Sequence, residues 1–183
     1  AYEYVGNHFR IVGKRSWAIQ KNYNECQKIA TGPIYMFMTD DITFETKGWD
    51  IMVKELFDKS ADKILFVYPN DRNRWYRSGF GIVGFLHKNW IDTVGYFVPF
   101  WFPSQFGDNW INQVSEMIGR KTYLQAMVIS NTNIKDDDTH KEYMEKRNSE
   151  HRSDKELYYS PEMIAKREKD VKALQLPSNI DII

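Results

Sequence analysis

The segment Ile34-Tyr-Met-Phe-Met38 is apolar at every position and breaks off at Thr39-Asp40-Asp41. A run that short, with no polar face, fits a strand covered on both sides. Such a strand needs helices above and below it, so the rest of the chain has to supply layers. Lys63 to Tyr68 is a second apolar run, Gly81 to Leu86 a glycine-bearing third and Tyr123 to Ile129 a fourth. Between them lie helical patterns. Ile19, Tyr23, Cys26 and Ala30 recur at helical spacing and predict a buried stripe, on a helix capped by Ser16 and ended by Gly32-Pro33. Trp49 to Phe57, a short stretch up to Val94 and Asp108 to Ile118 predict three more helices, the last ending at Gly119. His8 to Val12 predicts a short strand ending at Gly13. Strands alternating with helices give an α/β class, with a mixed sheet flanked by helices.

Beyond Asn131 the composition turns charged, and Glu142 to Glu150 and Pro161 to Leu174 predict helices, the second with Pro161 in its first turn. The expected division is a core over 1–130 and a charged, largely helical C-terminal extension over 131–183, packed on that core. Lys plus Arg and Asp plus Glu both number 25, so the formal net charge is zero. That balance argues against charge-driven binding to nucleic acid or to an anionic membrane. Cys26 is the sole cysteine and excludes an intrachain disulfide. The longest apolar aromatic run, Tyr96 to Phe102, falls well short of the roughly 20 residues that span a bilayer. With no signal-peptide pattern either, the expected location is cytoplasmic.

Ligands on α/β sheets sit beyond the carboxyl ends of strands, where Asp40 and Asp41 stand. Hard divalent cations take oxygen ligands, often one carboxylate plus substrate phosphates. The competing reading is a solvated turn, or a carboxylate capping Thr43 or Phe44. Arg72, Arg74 and Arg77 flank Trp75 and Tyr76, which suits a diphosphate clamp or an ordinary charged loop. Phe97, Phe100, Trp101, Phe102 and Phe106 form an aromatic loop that stacks on a sugar or packs a core. Of the four histidines, His8 reads as structural, His87 lies among the strand-and-helix residues, and His140 and His151 lie in the charged tail. Asp136 to Asp138 reads as a solvated acidic turn.

Two blocks carry a resemblance. Asn24 to Gly32, the apolar run, Thr39-Asp40-Asp41-Ile42 and Thr46-Lys-Gly-Trp49-Asp50 resemble glycosyltransferase family 2 and its phage-type relatives. In that family an Asn-bearing helix ends in Ala-x-Gly, followed by a buried strand, an Asp-x-Asp motif and a turn into Gly-Trp-Asp. The family's first Asp falls on Thr39 here, a departure that bears on donor affinity, and its last falls on Asp41. Gly84 to Phe97 resembles the family's acceptor-side strand, helix and Gly-Tyr/Phe turn, after which comes Asp108, where the family places its catalytic base.

The resemblance implies a truncated GT-A (Rossmann-like) mixed sheet with a helical charged C-terminal tail. It implies transfer of a sugar, with inversion, from a nucleotide-sugar donor to a carbohydrate or other hydroxyl acceptor. Asp108 would be the base. Asn24, Asp40 and Asp41 would bind the donor, with Mn2+ or Mg2+ on Asp41 and His140. His87, Trp101 and Trp49 would face the acceptor. A complete domain of this family begins with two further strand-helix units, and the first strand seen here matches its third. That implies an upstream segment or self-association at an open sheet edge, and a host-cytoplasm location if the gene is a phage's. The alternative is a non-catalytic carbohydrate-binding or assembly module with the same fold.

Overall fold

The computed structural model of the chain describes residues 2–5, 8–11, 19–39, 41–72, 79–102, 105–131 and 138–175. Asp40, Ser16, Gly13, Arg74, Trp75, Tyr76, Arg77, Asp136 and Asp137 lie outside them, and so does the side chain of His140.

Strands β1 (Tyr2–Val5) and β2 (His8–Ile11) pair antiparallel as a separate two-stranded sheet, with Tyr2 opposite Ile11. The main sheet holds β3 (Ile34–Phe37), β4 (Ile42–Phe44), β5 (Phe66–Asn70), β6 (Gly84–His87) and β7 (Lys121–Asn131). Its order is β3-β6-β5-β7-β4, and only β5 and β7 run parallel. The start of β7 pairs with β5 and its end with β4. The β5–β7 register slips between Pro69 and Asn70, an irregularity of the kind that bends a strand. Six helices accompany the strands: α1 (Ile19–Ile29), α2 (Trp49–Lys59), α3 (Lys88–Val94), α4 (Gly107–Met117), α5 (Asp138–Tyr158) and α6 (Pro161–Gln175). The expected mixed α/β sheet flanked by helices is the architecture that forms.

Side chains alternate across the sheet, as a two-residue period demands. Tyr35, Phe37, Phe66, Tyr68 and Leu86 enter one core with Trp90, Trp110 and residues of α6. Val67, Val83 and Phe85 enter the other, with Val53 and Phe57 of α2. Burying a side chain of this size contributes about 1.5–3 kcal/mol. Gly84 is required by the closeness of β5: a Cβ there would stand 2.3 Å from Phe66 Cε2 and 2.9 Å from the Val67 carbonyl oxygen.

Helix α6 returns onto α3 and α4. Both Nη atoms of Arg167 donate to the Tyr158 carbonyl at 3.1 Å, and the guanidinium lies 4.8 Å from the Trp110 ring and 4.2 Å from the Tyr158 ring. Trp110 Nε1 donates to the Tyr96 hydroxyl at 2.9 Å, which in turn donates to Asp170; Lys166 completes the cluster with a 2.7 Å bond to Asp170. Among the described residues, no helix is long and apolar enough to cross a membrane.

Local expectations differ in three places. Cys26 and Ala30 are exposed, because α1 turns Gln20, Tyr23, Asn24 and Gln27 inward, an arc rotated by about one residue. That helix ends at Ile29, so Gly32 is not its cap. Strand β3 is an edge strand, buried at Tyr35 and Phe37 but only half-buried at Ile34 and Met36. The run from Lys63 enters the sheet only at Phe66, since Lys63 takes a left-handed φ of 57° and Asp62 Oδ1 caps the Ile64 N–H at 3.0 Å.

Candidate active site

A cavity of about 660 Å3 opens on the Phe37 face of the sheet. Its walls come from α1, the end of β3, the segment before β6, the start of α4 and one face of α5.

Asp108 enters this cavity from the first turn of α4. The helix is preceded by Phe106, whose φ of 66° is a left-handed value that a non-glycine residue holds at a cost, the kind of strain that gathers at functional sites. Gly107 is close-packed: a Cβ would meet Gln20 Cγ at 3.0 Å and Val98 Cγ1 at 3.2 Å. Asp108 does not precede its helix as a cap; it lies inside, accepting from the Asn109 N–H at 2.9 Å. Burial pushes its carboxyl above the ordinary carboxylate range, while backbone N–H groups and the Arg147 charge pull the other way. A carboxylate with a raised pKa is a stronger proton acceptor than a solvated one.

Asn112, 3% exposed, locks the neighbouring wall. Its Nδ2 donates to the carbonyls of Gly81 (2.7 Å) and Asp108 (2.8 Å), and its Oδ1 accepts from the Gly81 N–H at 2.9 Å. This fixes the chain that carries Ile82 and Val83 along the cavity.

Thr39 lines the cavity from the end of β3, and its hydroxyl donates to the carboxylate of Asp41. Tyr23, another lining residue, secures the same strand end by donating its hydroxyl to the Met38 carbonyl at 2.6 Å. Asp41 is therefore tied to the mouth of the cavity that holds Asp108. Among the described residues no three His, Cys, Asp or Glu side chains gather as a metal cage. A metal on Asp41 would therefore need its remaining ligands from substrate phosphates and water, as Mg2+ often takes them.

The remaining candidates fall elsewhere. Asn24 spends its amide on structure: Nδ2 donates to the carbonyls of Val98 (2.6 Å) and Gln20 (2.7 Å), and Oδ1 accepts from the Phe97 N–H (2.8 Å). It ties the aromatic loop to α1. Trp49 stacks on Phe44 at 4.3 Å, in the core on the α2 face. His87 lies on that face too, 5.8 Å from the Phe57 ring, with Nδ1 accepting from the Asn89 N–H at the start of α3. Burial lowers its pKa. Trp101 packs on Tyr96 and Trp110 beneath Lys166. None of these four lines the cavity. Arg72 pairs with Glu45.

Helix α5 adds Arg147, which no sequence motif marks, beside His151 of the charged tail. Arg147 and His151 line the cavity, one turn apart. Gln105 holds that helix in place: its N–H donates to Asp154 Oδ2 (2.8 Å), its Nε2 to the Arg147 carbonyl (3.2 Å), and its Oε1 lies 2.8 Å from His151 Nδ1. The His151 ring stacks 5.7 Å from Phe106. Among the described side chains, His151 is thus a tail histidine at the cavity. The signal was present in the spacing, since 147, 151, 154 and 158 share one helical face.

Comparisons of the chain with protein-family models, with curated proteins and with solved structures found no match in any of the three.

Proposed function

We propose that the chain carries the acceptor side and metal-binding part of an inverting, metal-dependent glycosyltransferase acting on a nucleotide-sugar. One observation supports this most: Asp108, its carboxyl raised by burial, shares a cavity with Thr39, which holds Asp41 at the mouth.

Asp108 accepts the proton of the acceptor hydroxyl while that oxygen bonds to the anomeric carbon of the donor. The bond from that carbon to the diphosphate oxygen breaks on the opposite side, and the nucleoside diphosphate departs with the electron pair. Asp41 would hold Mn2+ or Mg2+, and the ion would supply positive charge to the diphosphate leaving group. Tyr23, Phe37 and Phe106 give the cavity an aromatic surface suited to the C–H face of a sugar.

A thermal-shift screen of nucleotide-sugars with Mn2+ tests this reading. Stabilisation by at least one nucleotide-sugar, dependent on Mn2+, is the expected result. Stabilisation by free sugars alone would favour a non-catalytic carbohydrate-binding module instead.

A further inference from the structure

We infer that the acceptor held in this cavity bears a carboxylate or phosphate group, which seats on the guanidinium of Arg147. The word acceptor rests on the transferase reading; the binding preference does not.

Arg147 is half-buried in the cavity wall. Among the described residues its guanidinium makes no ion pair; its one hydrogen bond runs to the Met144 sulfur at 3.8 Å. The other arginines near the core are satisfied: Arg120 by Asp62, and Arg167 by the Tyr158 carbonyl and two rings. An arginine fork in the wall of a cavity suits the paired oxygens of a carboxylate or phosphate. Its position is held from behind, because Gln105 binds the Arg147 carbonyl.

A second observation comes from the α1 wall. Gln20 is 6% exposed and lines the same cavity, yet its Oε1 has no hydrogen-bond partner. A buried acceptor left unpaired costs stability, and a small turn of the Gln20 side chain would let a ligand hydroxyl relieve it. Arg147 has Asp108 as a counter-charge in the same cavity but, among the described residues, no carboxylate in contact, so a neutral sugar would leave its fork without a bidentate partner. A polyhydroxyl ring with one anionic substituent supplies that partner. The charged groups around Arg147 are Asp108 in the cavity, His151 one turn along α5, and Lys146 beside it, already paired with Glu150 at 3.0 Å. The donor diphosphate has its own place at Asp41, at the strand end that carries Thr39.

Calorimetric titration of the full chain with glucuronate, glucose 6-phosphate and glucose tests the inference, with UDP plus Mn2+ as a separate arm. At least one anionic sugar should bind about tenfold or more tightly than glucose, the gain typical of a charge-assisted hydrogen bond. Arg147→Gln should bring that preference to within about twofold while leaving UDP affinity unchanged, and Arg147→Lys should retain part of it. Equal binding of all three sugars, no binding of any, or an Arg147→Gln variant that keeps the preference would overturn the inference. So would loss of UDP affinity in place of sugar affinity, since the arginine would then serve the donor. If Arg147→Gln fails to fold, Arg147→Lys decides: an undiminished preference overturns the inference. Preference for anionic sugars without any transfer would retire the transferase reading and leave the Arg147 site standing.

Discussion

The hydroxyl of Thr39 donates to the carboxylate of Asp41, and Thr39 itself lines the cavity that Asp108 enters from the other side. Two acidic groups separated by 67 positions in the chain (41 and 108) are thereby linked through one residue of the cavity wall. The relationship depends on the residue after β3, Met38, whose carbonyl is held by α1 through Tyr23, and on the start of α4, held by Asn112.

Replacing Asp41 by Ala should abolish Mn2+-dependent binding of a nucleoside diphosphate while the thermal melt stays close to wild type. Asp41 is only half-buried, and surface substitutions usually shift stability by less than about 0.5 kcal/mol. Calorimetry with UDP and Mn2+ reads the first effect and a melt the second; undiminished UDP affinity would remove Asp41 from the metal site.

The buried carboxyl of Asp108 predicts a pH dependence of stability. Its folded-state pKa lies above the ordinary 3.8, so through that interval the folded chain binds more protons than the unfolded one. The stabilisation is complete below the ordinary value and is lost as pH rises through the raised one. Asp108→Asn lacks this dependence and should gain in stability over wild type as pH rises across that window. Parallel denaturant titrations at several pH values measure the difference; a constant offset would show that burial does not perturb the group.

Asn112→Ala should destabilise the fold and loosen the cavity wall. It leaves the Gly81 N–H and carbonyl without their partner, and each orphaned buried group costs about 1–3 kcal/mol. Hydrogen exchange should show faster opening at Gly81, Ile82 and Val83 than in the wild type. Unchanged exchange there would mean the wall is held by packing alone.

Arg167→Ala should release α6. The charged hydrogen bonds to Tyr158 and the contacts with two aromatic rings together support a loss of about 2–4 kcal/mol. Limited proteolysis should then cut between α5 and α6, near Tyr159 and Ser160, at concentrations of protease that spare the wild type.

Much of the sheet is legible in the sequence. The apolar runs mark the cores of β3, β5 and β6, Gly119 follows α4 with a left-handed φ of 69°, and Pro161 opens α6. These are local features, set by propensity and turn chemistry. The site was less readable, because it depends on which face of the sheet holds the cavity. His87 and Phe85 necessarily share a face that Leu86 does not, but only the placement of α2 shows that this face is not the one with the cavity. The family resemblance puts Asn24 at the donor, and an asparagine carries no mark of whether its amide serves substrate or backbone. The inward stripe of α5 is hidden in the sequence for another reason. Arg147, His151, Asp154 and Tyr158 recur at helical spacing, yet three of the four are polar, so no apolar periodicity betrays them.

The most direct measurement of the central claim is sugar transfer by Asp108→Asn beside wild type, with the donor affinity of both. The variant keeps the size of the side chain and an oxygen to accept from the Asn109 N–H. Turnover should fall on the order of 100- to 10,000-fold while donor affinity stays within about twofold, because a base is lost and the metal site is not. Near wild-type turnover in a folded Asp108→Asn protein would contradict the account.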